Sequence, residues 1–224
     1  MSATIPTSAL DDFRRRISAW IDIGQFQLEF DHLLEKRNAE EFAAYMRSQG
    51  PWKAVKEEVA PISDYLRFRG IANGWIRFAL GNEVPDCIIC ADGAEPIGIE
   101  VTLCLGKEQH YLGAERAKGR VMPGFLGLQD SASKKRFEEK IRGRRMMHSP
   151  AGAMAAIRAG VEACLMRKNN PKFAGHHLVI SAPTRILSKE RSSSIQRDLS
   201  AFAHTLPFAE VYVVQSANFG IRLK

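Results

Sequence analysis

The stretch VPDCIICADGAEPIGIEVTLCL, residues 84 to 105, constrains the fold of this chain more than any other. Two apolar runs rich in branched residues flank ADGAEP, within which Asp92-Gly93 is a strong hairpin signal. Each run also carries an acid. Asp86 stands at the start of the first and Glu100 inside the second, where burial of a lone charge is costly. Side chains alternate along a strand, so Glu100, Thr102 and Cys104 share one face while Ile99, Val101 and Leu103 take the other. With a three-residue loop Asp92-Gly93-Ala94, position 86 falls opposite position 100, and both acids project to one side with Cβ atoms about 5 Å apart. A two-residue loop sends them to opposite faces, so the register decides whether the acids meet.

Two carboxylates that close repel unless a proton or a hard cation lies between them, and Mg²⁺ is the oxygen-liganded candidate. Such an ion lowers the pKa of a bound water and neutralises charge developing on a phosphate. The alternative is structural: Asp86 caps the turn after Pro85, and Glu100 pairs with an Arg.

The rest of the chain supports an α/β domain. Ser8 followed by Asp11 resembles a capping box, and Leu10, Phe13, Ile17 and Ile21 recur at helical spacing. Helical sequence continues through FDHLLEKRNAEEFAAYMRS to Gly50-Pro51. Trp52, Val55, Val59 and Ile62 then form an apolar stripe that Pro61 should end or kink. The period changes afterwards: WIRFAL, DCIIC and IGIEVTLCL read as three strands. Mostly helical sequence is expected from 107 to 147, a helix at 150 to 168 with Ser149 as N-cap, and a strand at HHLVISA. A helix near 189 to 205 and strands at EVYVVQ and FGIRLK complete the order. This is a mixed central sheet flanked by helices.

No apolar run approaches the roughly 18 residues of a membrane span, so a soluble, cytoplasmic protein with no membrane partner is expected. Cys87, Cys90, Cys104 and Cys164 sit among apolar neighbours, as reduced core thiols do. His176 and His177 are adjacent and point to opposite sides of a strand, which makes them poor joint ligands. Trp20, Trp52 and Trp75 lie in apolar patterns and are read as core.

Charge is unevenly spread. Residues 1 to 105 carry 11 − 16 = −5, and residues 106 to 224 carry 21 − 9 = +12. The densest basic run holds Lys134, Lys135, Arg136, Lys140, Arg142, Arg144 and Arg145, a patch suited to displacing counterions from a polyphosphate backbone. It is equally readable as a solvated helix face with Phe137 and Ile141 turned inward.

Asp86 after Pro85 at a strand start, Glu100 within GIEVT on the next strand, and a helix then a strand downstream resemble the PD-(D/E)XK nuclease superfamily. The resemblance covers roughly residues 52 to 182 and implies a restriction-endonuclease-like αβββαβ core, with residues 1 to 50 as a helical N-terminal extension and 51 to 224 as the nuclease-like domain. By this resemblance Asp86 and Glu100 hold Mg²⁺ or Mn²⁺, the carbonyl of Val101 is a further ligand, and Glu58, or failing it Glu57, completes the shell. The chain departs from the pattern at Thr102, where a Lys is expected, and a hydroxyl cannot supply that positive charge. Some members carry the Lys elsewhere, which brings Lys107, Lys140 and Lys168 into consideration. The implied activity is metal-dependent hydrolysis of nucleic acid, DNA by resemblance, with a homodimer suited to cutting two strands. The competing readings are a catalytically degenerate nucleic-acid-binding module and a protein-interaction domain.

Overall fold

The computed structural model describes residues 8–81, 83–142 and 149–224. Helix α1 (Ala9–Ile17) is capped by the Ser8 side chain, which accepts from the Asp11 N–H, and it buries Leu10, Phe13 and Ile17. A two-residue strand β1 (Ile21–Asp22) leads directly into α2 (Ile23–Glu35), for which Asp22 is the N-cap. A full capping box between Asn38 and Glu41 starts α3 (Ala39–Met46).

Pro61 does not end the next helix. Helix α4 (Trp52–Ala54) runs through a π turn, Val55–Val59, into α5 (Ala60–Arg69). The Ala60 N–H bonds Val55 O five residues back, and the widened turn falls just before the proline, whose missing N–H would interrupt a regular ladder. The apolar stripe therefore stays continuous: Val55, Val59, Ile62, Tyr65 and Leu66 are all fully buried.

Seven strands form one sheet in the order β1 to β7. β2 (Gly74–Phe78), β3 (Cys87–Ala91) and β4 (Ile97–Leu103) make an antiparallel meander. α6 (Gly106–Arg116), α7 (Lys134–Arg142) and α8 (Pro150–Lys168) cross over to β5 (His177–Ser181), which pairs parallel to β4. After α9 (Lys189–Thr205) come β6 (Glu210–Ser216), parallel to β5, and β7 (Phe219–Arg222), antiparallel to β6. The fold is α/β with a mixed sheet flanked by helices.

The stretch from 117 to 133 is irregular and interrupts the mostly helical run expected from 107 to 147. Glu108, buried in α6, accepts the N–H groups of Leu126 and Leu128 at 2.7 Å each, so an irregular backbone is tied down by a side chain instead of a ladder. Among the described residues no helix is long and apolar enough to cross a membrane.

One core lies between the sheet and the α1, α2, π-turn and α5 side, and includes Phe26, Val55, Tyr65, Ile76, Phe78, Cys87 and Ile99. The N-terminal helices thus share the core of the sheet. A second core on the opposite face joins α8 and α9 to Leu178, Ile180, Val211 and Val213. Gly160 lets α8 press onto the end of β4, since a Cβ there would stand 2.6 Å from Cys104 Sγ and 2.9 Å from Leu105 Cδ2. From that contact α8 climbs about 12 Å over eight residues, while β4 runs back about 13 Å over four. The end of α8 is therefore level with Glu100. Replacing Gly160 by Leu should overpack this seam by about 2 kcal/mol and lower Tm by about 5 °C in a thermal scan; an unchanged Tm would refute the close packing.

Candidate functional site

The register places the acids together. Cys87 pairs with Ile99, Ile88 with Gly98 and Ile89 with Ile97; one step further back, Asp86 lies opposite Glu100. This is the register of the three-residue loop, and it holds both acids on the face that α8 covers. Asp86 Oδ2 accepts the Val101 N–H at 2.7 Å, and the Asp86 carbonyl accepts the Ala79 N–H at 3.0 Å, so Asp86 is anchored where the hairpin strands begin to pair.

Glu100 is 5% exposed. Its Oε1 receives the Lys168 ammonium from the end of α8, whereas Oε2 is buried and has no hydrogen-bond partner. Next along the same face, Thr102 Oγ1 accepts from Arg167 Nη2 at 2.5 Å. A hydroxyl thus occupies the position where the motif wants a cation, and two consecutive cations from α8 arrive over it. The structural alternative for Glu100 named an Arg; the residue in contact is a Lys, and the Arg goes to Thr102.

Glu58 lies in the π turn, and its Oε2 is also buried and unpartnered. Burial, and next the charge of Asp86, push the Glu58 carboxyl up to about 7. Burial and the charge of Glu100 raise Asp86 to about 6, against the opposing pull of the Val101 N–H and Lys168. Glu58, Asp86 and Glu100 thus form one electrostatic cluster short of positive charge. Unpartnered carboxylate oxygens suit a hard cation. As the side chains stand, however, no three His, Cys, Asp or Glu groups among the described residues are gathered to hold a metal ion. One oxygen of Glu100 is taken by Lys168 and one of Asp86 by the backbone.

The other candidates separate. Val101 lies on β4 with its N–H on Asp86. Lys107 is at the start of α6, where its N–H donates to Asp130 Oδ1 at 2.9 Å. Lys140 Nζ donates to the Leu126 carbonyl at 2.7 Å and helps hold the irregular loop. Of the three lysines considered for the missing motif position, only Lys168 is in contact with an acid of the cluster. On α7, Phe137 is buried and stacks on Tyr111 at 4.6 Å, while Lys134, Lys135, Arg136 and Arg142 are exposed. Lys134 and Lys135 lie 3.8 and 3.9 Å from Glu138 and Glu139. Arg144 and Arg145 fall outside the described residues. The run is thus a helix with an inward apolar edge at Phe137 and an exposed basic outer face.

One neighbour escaped the sequence reading, and another was read there only as a poor joint ligand. Arg167 adjoins Lys168 at a helix end, and that dibasic pair was the available signal. His176 packs over Gly98, with ring atoms 2.8 and 3.1 Å from where a Cβ would be and Pro85 at 2.9 Å; its Nδ1 is buried without a partner. His177 points the other way, into a network with Tyr65 OH at 3.0 Å and Glu210 Oε2 at 3.6 Å, and burial lowers its pKa. No family model, characterised protein or solved structure shows a significant match to this chain.

The raised carboxyls set a sign. Because Glu58 and Asp86 hold protons more tightly folded than unfolded, they weaken the fold above pH 7, and the penalty fades as pH falls through 7 and 6 toward the ordinary carboxylate range. Glu58→Gln and Asp86→Asn should each raise Tm at pH 8 by about 3 °C and leave it unchanged at about pH 4. A uniform offset at both pH values would contradict this. In metal-free buffer, Lys168→Met should cost about 3 kcal/mol by leaving Glu100 buried and unpaired. Urea titration should then show Glu100→Gln in that background recovering most of the loss.

Proposed function

We propose that this chain is a metal-dependent nuclease with a restriction-endonuclease-like core, acting on DNA. The observation that carries the reading is the delivery of Lys168 and Arg167 to Glu100 and Thr102, which restores in space the cation missing from the motif in sequence. Two features add support: the order of helix, three antiparallel strands, helix and parallel strand accords with the αβββαβ pattern, and Asp86 and Glu100 share one face.

A Mg²⁺ or Mn²⁺ ion held by Asp86, Glu100 and Glu58, with the Val101 carbonyl as a further ligand, would activate water and neutralise charge on the scissile phosphate. The chain's own groups define the rest. Asp86 is fixed by the Val101 N–H, which leaves its second oxygen to face the cluster. Lys168 Nζ is the donor that holds the attacking water or a non-bridging phosphate oxygen in line. Arg167 positions the end of α8 through Thr102 and so keeps the ammonium beside the acids. The exposed side chains of α7, which carries 5 − 2 = +3 over residues 134 to 142, contact the phosphate backbone and make binding salt-dependent.

With Mg²⁺ or Mn²⁺, plasmid, linear and single-stranded DNA should be cut, RNA and EDTA controls should not, and Asp86→Asn and Glu100→Gln should abolish cutting. Lys168→Met, assayed where circular dichroism shows it folded, should lose about 100-fold in kcat, while Lys107→Met retains full rate. Equal activity of Lys168→Met and wild type would remove the central assignment. Salt-sensitive binding with no cleavage of any substrate would instead identify a degenerate binding module.

A further inference from the structure

Trp20 and Trp75, read from sequence as core, are 45% and 53% exposed; only Trp52 of the three is buried. They share a location. Trp75 is on β2, and the Arg77 guanidinium, two residues along the same face, lies 5.6 Å from the Trp20 ring centroid. The register carries this face inward: Trp75 pairs with Cys90, Arg77 with Ile88, and Ile88 with Gly98. Paired residues point to the same side, so Trp75 and Arg77 lie on the same side of the sheet as Asp86, Gly98 and Glu100.

The two halves of this face differ. Helices α8 and α9 cover it over β5 and β6, but Trp75, Arg77, Ile88 and Cys90 belong to none of the three hydrophobic clusters. A hollow of about 280 Å³ shares Arg77 and Ile88 with this face, and Ser18, Glu83, Val84 and Pro85 are among its other walls. From Glu100 to Trp75 is two strands across and four residues along, about 16 Å.

We infer that this open half-sheet is a stacking platform for unpaired nucleotides leading into the acid cluster, so that the substrate class is single-stranded DNA or a duplex carrying a single-stranded end. Exposed indoles beside an Arg offer π faces to bases of any sequence, with the cation at hand for the intervening phosphate. Bases stacked inside a duplex have no free face to offer them. The hollow receives the nucleotide next to the platform. Glu83 on its wall is the one opposing charge, and it favours entry of a base over entry of a phosphate there. The assignment of the acid end rests on the nuclease reading; the platform itself does not.

The test is binding in EDTA, where no cutting occurs, using labelled oligodeoxythymidine, a blunt duplex of equal length and the same duplex with an overhang. The expected result is quenching of tryptophan fluorescence by the first and third probes, with Kd raised about tenfold by Trp20→Ala or Trp75→Ala. Trp75→Phe, which keeps a ring, should bind near the wild-type level. Equal binding of blunt duplex and oligodeoxythymidine, or less than twofold change in a folded Trp20→Ala/Trp75→Ala double variant, would overturn the proposal. So would fluorescence and sedimentation that respond to protein concentration and not to DNA, which would make the face a self-association surface. Cleavage with Mg²⁺ is scored separately: retained quenching with no cutting would overturn the nuclease reading and leave the platform, and cutting without quenching the reverse.

Discussion

A carboxylate buried in the middle of a sheet needs a counter-charge, and the architecture around β4 is organised by that requirement. Glu100 is almost inaccessible, yet the sheet itself offers it no cation. The ammonium comes from α8, the helix whose close approach at Gly160 and antiparallel course bring its last turn to the right height. Cys164 donates to the Leu103 carbonyl, Arg167 to Thr102 and Lys168 meets Glu100, so the end of α8 is fastened along β4 at three points. The acid's counter-charge thus depends on where the packing of a helix puts its last turn.

That arrangement gives Thr102 a meaning that its side chain alone lacks. In the family this chain resembles, one residue of the strand itself brings the positive charge to the acids. Here a small hydroxyl occupies that place, and the space is filled from the neighbouring layer. On the proposed nuclease reading, supplying the cation from the helix stands in for a lysine on the strand. It also makes the cluster depend on tertiary packing, because no local feature of β4 determines where the ammonium stands.

The hairpin was legible from Asp92-Gly93, and strand parity narrowed its register to a choice of loop length that only the strand pairing decided. Strand and helix order followed from periodicity. The identity of the cation was not legible, since Lys107, Lys140 and Lys168 differ only in where the crossover places them, and that depends on the contact at Gly160. Trp75 was misread because an apolar alternation shows that a strand has two faces without showing that one of them is uncovered, and Trp20 because apolar neighbours in sequence do not show that a ring is covered. That Pro61 would not end the helix was not legible, because a π turn can absorb a missing N–H and nothing in residues 55 to 59 announces it. The irregular stretch after α6 was missed because it is held by side-chain bonds, from buried Glu108 and from Lys140, and bonds of that kind leave no periodic trace.

The sequence separations of these contacts imply an order of assembly. Asp86 and Val101 are 15 residues apart and meet as soon as the hairpin closes, whereas Arg167 and Thr102 are 65 apart and Lys168 and Glu100 are 68 apart. Closing the longer loops carries more entropy loss and depends on the crossover helices being in place. On a growing chain the acids therefore gather first and wait, mutually repelling, for a cation still to be synthesised. The last turn of α8 acts as a clasp: it makes the acid cluster one of the latest parts of the molecule to be completed, after the scaffold that must hold it.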